Sequence, residues 1–98
     1  MQRPEFEASL TAANPPEHCS PELAALWWIK SSNWQAAHDL IDPLPGSDAA
    51  WVHALLHRME GDEWNANYWY RKAGRQRPNL TIGQEIEELL AFFLEQAD

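Results

Sequence analysis

The residues best suited to chemistry lie in the string HALLHRMEGDEWNANYWYRKA, which covers positions 53 to 73. In a helix, His53, His57 and Glu60 would follow one another at i, i+4 and i+7, as neighbours stacked over two turns. Two histidines at i and i+4 can share a divalent metal ion, and Glu60 or Asp62 could add an oxygen ligand. HALLH lacks the internal glutamate of the HExxH motif, and the sequence places no third histidine beside it. Chance histidine pairs are common, so two hydrogen-bonded histidines on a polar face are favoured over a metal site.

Basic residues are concentrated at the end of this string and just beyond it. Four of the seven Lys and Arg residues in a chain of net charge −8 lie within seven positions: Arg71, Lys72, Arg75 and Arg77. Such a patch could capture a carboxylate or a phosphate, because arginine offers bidentate hydrogen bonds. The slightly favoured alternative is that these cations complement the helix dipole or pair with the acidic residues at 85–88.

Amide and aromatic side chains give the same stretch more functional groups than a packing helix needs. Asn65 is a mediocre helix former, so it predicts a cap or a specific hydrogen bond. Trp64 and Tyr68 fall away from the expected core stripe, and packing against another helix is favoured over lining a groove. A polar network beside aromatic rings is typical of a small-ligand pocket. The residues predicted to bind a ligand are His53, His57, Glu60, Asn65, Tyr68, Arg71 and Arg75.

Evidence for catalysis is thin. The sequence has no Gly-rich phosphate loop and no GxSxG motif, and its single cysteine, Cys19, lies far from the histidines in sequence. We therefore expect no catalytic residues and no cofactor. A small metal- or ligand-binding enzyme using His53, His57 and Glu60 is kept as an alternative.

Composition predicts one small domain with an adequate core. The chain has 98 residues, 45% of them hydrophobic, and six tryptophans. A net charge of −8 repels phosphates and anionic lipids, which argues against nucleic-acid and membrane partners. No apolar run approaches the length of a membrane span, and a lone cysteine favours a reducing, cytoplasmic setting.

Periodicity and caps predict an all-α domain of five or six helices in antiparallel hairpins. Ser20, Asn33, Ser47 and Asp62 are the expected helix starts, and Thr81 with Gln84 forms a capping box. Prolines and Gly61 are the expected stops. The predicted helices cover 4–13, 21–31, 34–41, 48–60, 62–75 and 82–97, with hairpins at about 20–42 and 47–76.

The two hairpins share a template when the sequence is shifted by 29 residues. Ala25, Leu26 and Ala37 then align with Ala54, Leu55 and Ala66. The second hairpin resembles a tetratricopeptide repeat through Ala54, Gly61-Asp62, Ala66, Tyr70, Ala73 and Pro78. His53 and His57 stand where that family usually has an apolar and an aromatic residue. The string from His53 to Gly74 is also similar to a signature of short bacterial proteins, and this second resemblance implies no activity.

The resemblance implies a two-repeat array whose first and last helices act as caps, and a module that binds peptides or partner proteins. We therefore expect a non-enzymatic interaction module whose second hairpin binds an acidic peptide, a partner protein or a small anion. The further alternative is a structural subunit that forms a homodimer through its Trp-rich surface.

Overall fold

A computed structural model describes residues 1–96, which form six helices and no strand. The helices are α1 (Arg3–Ser9), α2 (Pro21–Lys30), α3 (Trp34–Ile41), α4 (Ser47–Met59), α5 (Glu63–Lys72) and α6 (Ile82–Gln96). The prediction of an all-α fold is confirmed for this part of the chain. Residue 97, the predicted end of the last helix, lies outside the described residues. None of the six helices is both long and apolar enough to cross a membrane.

Local side-chain caps start four of the helices, as the sequence predicted. Ser20, Asn33 and Asp62 each accept a hydrogen bond from a backbone N–H three residues later, which satisfies one unpaired donor of the first turn. Thr81 and Gln84 form the reciprocal capping box, with N···O distances of 2.9 and 3.1 Å. These caps fix where α2, α3, α5 and α6 begin.

Three of the differences from the predicted helix bounds have a local physical cause, and the others are shifts of one residue. The first helix ends at Ser9 rather than 13, because the hydroxyl groups of Ser9 and Thr11 donate hydrogen bonds to backbone carbonyls of the preceding turn. Gly46, with φ +100°, caps α4, so Ser47 lies inside the helix instead of capping it. The fifth helix ends at Lys72 rather than 75, because Gly74 adopts the left-handed conformation, with φ +70°, which terminates the helix.

Consecutive helices pack as the hairpins α2–α3 and α4–α5, and α3 lies against α4 where the hairpins meet. Helix α6 covers α2 and α4. All eight residues from Ala49 to Leu56 are buried, so α4 is the central helix and has no solvent face along that stretch. Side chains of α4 that sequence periodicity assigns to opposite sides are therefore both enclosed.

A fully buried carboxylate ties α6 to the second hairpin. Glu85 accepts hydrogen bonds from the Tyr70 hydroxyl at 2.7 and 2.8 Å, from Trp51 Nε1 at 3.2 Å and from Arg58 Nη1 at 2.9 Å. Arg58 also donates to the Leu80 carbonyl. Burial, and secondarily the hydrogen bond to Glu85, raises the pKa of Tyr70. The network fixes α4, α5 and α6 relative to one another.

The acidic residues of α6 do not neutralise the basic patch in the way the sequence suggested. Glu85 pairs with Arg58 of α4, and Glu87 pairs with Arg3 of α1. Arg77, within the basic patch, pairs instead with Glu63 at the start of α5. Among the described residues, Arg77 is thus the one member of the patch that has a carboxylate partner, and that partner lies on α5.

Candidate functional site

Three histidines from two hairpins converge at the α3–α4 junction. His38 lies on α3, and His53 and His57 lie one turn apart on α4. Each histidine has one ring nitrogen that lies within 4.8 Å of a ring nitrogen of both other histidines. These three residues are called the histidine cluster below. Two of its members were predicted to be site residues, and the third enters because α3 packs against α4.

The closest pair in the histidine cluster has a separation typical of metal ligands. Nε2 of His53 lies 3.2 Å from Nε2 of His38. Two imidazole nitrogens bound to one tetrahedral zinc ion, at bonds of 2.0–2.1 Å, are about 3.3 Å apart. Without metal, the same distance suits a hydrogen bond in which one Nε2–H donates to the other ring. A metal ion could replace that shared proton at the same N···N separation, with both rings turning so that their lone pairs point at the ion.

Two tryptophans fix the planes of these rings. His38 stacks on Trp34 with a centroid distance of 4.9 Å and an interplanar angle of 9°. His53 stacks on Trp69 of α5 at 3.9 Å and 13°. Trp34 is itself anchored, since its Nε1 donates to the Leu56 carbonyl at 2.7 Å. The indoles therefore hold both imidazoles in place before any ligand arrives, which lowers the ordering cost of binding.

The third ring is oriented by a carboxylate. His57 Nδ1 lies 2.7 Å from Glu60 Oε1, the last-turn neighbour predicted from the sequence. Metal-binding histidines commonly donate one ring N–H to a carboxylate, which leaves the lone pair of the other nitrogen for the metal. Glu60 and Asp62 also form a second ligand-type group with His57, again within 4.8 Å. The geometry thus allows Glu60 two roles: it can orient the ring of His57, or it can add an oxygen ligand beside it as the sequence suggested.

Electrostatics keep the central histidine uncharged. His53 is 2% exposed. Burial, followed by the neighbouring His38 and His57, lowers the pKa of His53 to about 4. At neutral pH the ring is therefore unprotonated, which is the form that binds a metal ion. The sequence placed His53 on a face opposite the core, whereas α3 and Trp69 enclose it.

The remaining predicted binding residues lie elsewhere. Asn65 completes the start of α5, since its N–H and its side-chain amide both donate to Asp62. Arg75 places its guanidinium 3.5 Å from the centre of the Trp51 ring. Tyr68 and Arg71 lie on the outer side of α5, and Arg71 is exposed. The structure therefore divides the predicted single site into the histidine cluster, a helix cap, an Arg75–Trp51 stack and an outer face of α5.

Sequence reasoning missed His38. The usable signal was its place on the helix just before α4: three of the chain's four histidines lie on two helices that are consecutive in the chain. Consecutive helices joined by a short loop usually pack together, so histidines on both are candidates for one site. Periodicity within a single helix does not contain that information.

Comparisons of the chain with protein-family models, with curated proteins and with solved structures found no match.

Proposed function

We propose that the protein binds a divalent transition-metal ion, with zinc as the reference ion, through His38, His53 and His57. The observation that carries the proposal is the convergence of three imidazole nitrogens from two hairpins, with the nearest two 3.2 Å apart. Imidazole is a preferred ligand of zinc, copper, nickel and iron. Three histidines also leave one position of a tetrahedral ion open to water or to a small ligand.

The neighbouring residues support this function. A neutral His53 does not need to lose a proton at pH 7, and Glu60 favours the Nδ1–H tautomer of His57, which leaves the Nε2 lone pair available to a metal ion. Trp34 and Trp69 exclude water from two of the rings by stacking on them. A binding role follows from this arrangement alone, and an enzymatic role would need a substrate at the open position.

Isothermal titration calorimetry with zinc and metal analysis of the purified protein test the proposal. We expect one zinc ion per chain, and loss of at least tenfold in affinity for each of His38→Gln, His53→Gln and His57→Gln. His18→Gln is the matched control, because His18 is an exposed histidine of the α1–α2 connection. Circular dichroism checks that each variant folds. Zinc binding that is equally weakened by His18→Gln, or unaffected by His38→Gln, would overturn the proposal.

We also infer a tetratricopeptide-like arrangement of the two hairpins. It is supported by the left-handed Gly61 in the turn between α4 and α5, and by the burial of Ala54, Ala66, Tyr70 and Ala73 where these helices approach. In that arrangement the histidine cluster spans the interface between the first and second repeats. A metal ion would then act as a link between repeats.

A further inference from the structure

The outer face of α5 is a surface separate from the histidine cluster. It consists of Trp64, Tyr68, Arg71 and Lys72, which fall within about 100° of arc at 100° per residue. Ala66, Tyr70 and Ala73, on the other side of the helix, are buried against the rest of the protein. The outer face thus presents a row of two aromatic rings and two cations away from the core.

The aromatic part of this face has not been covered by the fold. Trp64 is 73% exposed, and every other large hydrophobic side chain among residues 1–96 is at least partly buried. Its ring stacks on Tyr68 with a centroid distance of 6.1 Å and an interplanar angle of 18°. The sequence favoured packing of both rings under another helix, and for Trp64 that expectation was wrong. Exposed tryptophan and tyrosine side chains are typical anchors of protein interfaces.

The cationic part is available as well. Elsewhere in the described chain, Arg3, Arg58 and Arg77 are paired with carboxylates. Across residues 1–96, no carboxylate oxygen lies within 4.0 Å of the side-chain nitrogens of Arg71 or Lys72. Lys72 instead lies 5.5 Å from the centres of the Tyr68 and Trp69 rings. The two cations therefore border the exposed Trp64 and the half-buried Tyr68 without being neutralised by an acidic side chain.

We propose that the outer face of α5 binds an acidic segment of a partner protein. An apolar side chain of that segment would lie on Trp64 and Tyr68, and its carboxylates would pair with Arg71 and Lys72. The charge of the chain favours this occupant over the others. At −8 the protein repels every anionic partner, but a short peptide with two or three carboxylates carries less negative charge than a nucleic-acid strand, with one phosphate per nucleotide, or a second copy of the chain. Its few carboxylates also match the two local cations, Arg71 and Lys72.

This proposal does not depend on metal binding. None of the four residues of the outer face is a member of the histidine cluster, and the ring contacts of Trp64 and Tyr68 are with each other and with Trp69. Trp64→Ala and Arg71→Glu change residues that have no ring or ionic contact with Trp69 or with the histidine cluster, so these two variants should leave zinc affinity unchanged. Failure of one proposal would not carry over to the other.

Selection from a phage library of random 12-residue peptides on the immobilised protein tests the proposal. We expect the selected peptides to be enriched in Asp and Glu around an apolar residue. With the best peptide labelled with fluorescein, anisotropy should show at least a tenfold loss of affinity for Trp64→Ala and for Arg71→Glu. Binding should also weaken as salt is raised, because the contacts are ionic at an exposed surface.

Lys30→Glu is the matched control for the charge change, since Lys30 is an exposed lysine at the end of α2. It should alter affinity less than threefold. The proposal is overturned if selection gives no enrichment or gives basic peptides, or if Trp64→Ala binds as tightly as the unchanged protein. It is equally overturned if a 12-nucleotide single strand binds more tightly than the peptide, or if sedimentation shows a dimer that Trp64→Ala abolishes.

Discussion

Acidification should destabilise the protein through His53. In the unfolded chain its pKa is 6.5, and in the folded protein burial and two neighbouring histidines lower it to about 4. Above pH 6.5 the ring is neutral in both states. As the pH falls below 6.5, the unfolded chain takes up the proton first, so the free energy of unfolding falls until the folded protein also binds a proton near pH 4.

The size of this effect follows from the difference in pKa. A shift of about 2.5 units corresponds to about 3.4 kcal/mol, and solvent screening at the rim of the cluster reduces the expected loss to roughly 2–3 kcal/mol between pH 7 and pH 4. That is a large share of the stability of a small domain, which is of the order of 5–15 kcal/mol.

Urea unfolding at half-unit steps from pH 7 to pH 4, without metal, measures the effect of His53. His53→Gln loses the stack on Trp69 at every pH, so only the change of its stability with pH is compared. The variant should lose roughly 2–3 kcal/mol less than the unchanged protein over this range, while His18→Gln should behave like the unchanged protein. Carboxylates titrate in all three proteins and cancel in the comparison. Parallel curves for the unchanged protein and His53→Gln would refute the burial of a neutral histidine.

Three further substitutions test single contacts. Glu60→Gln should weaken zinc binding about 10–100-fold in calorimetry, because the carboxylate orients His57, while urea unfolding changes by less than about 0.5 kcal/mol. Glu85→Ala should lower the free energy of unfolding in urea by about 3–5 kcal/mol, because it leaves the largely buried Arg58 unpaired. Glu88→Ala, at an exposed position, should change it little, and equal losses for the two variants would contradict the buried network. Trp34→Phe should cost about 1 kcal/mol through the lost indole hydrogen bond to α4, and an unchanged midpoint in urea would count against that bond.

Helix positions could be read from the sequence wherever a side chain caps the backbone locally. The bounds of α3 were predicted without error, because Asn33 caps one end and Asp42-Pro43 follows the other. The start of α4 was displaced by one residue, because Gly46 can cap through its backbone conformation and leaves no side-chain signal. Local chemistry therefore accounts for the successes and for the small errors alike.

The candidate site depends on contacts between helices, and much less of it could be predicted. The pair His53 and His57 and the neighbouring Glu60 follow from spacing in one helix. The participation of His38 depends on the angle and register at which α3 packs on α4, which the pattern of neither helix specifies. The burial of Glu85 was missed for the same reason: its partners come from two other helices, and charge alone suggested an exposed position.

The junction between the hairpins is built from groups that packing alone would not favour. Histidines occupy positions 53 and 57 of the packed α3–α4 junction, and a buried polar pair adds less stability than apolar side chains of similar volume. Here the rings of His38 and His53 lie between two indoles. His53 stays neutral, which lowers the free energy of unfolding when the pH falls. An ion bound to all three histidines would offset that loss, since a ligand that binds only the folded state adds about 2.7 kcal/mol at a hundred times its dissociation constant. The proposed metal site would account for three histidines at this junction, which packing alone does not.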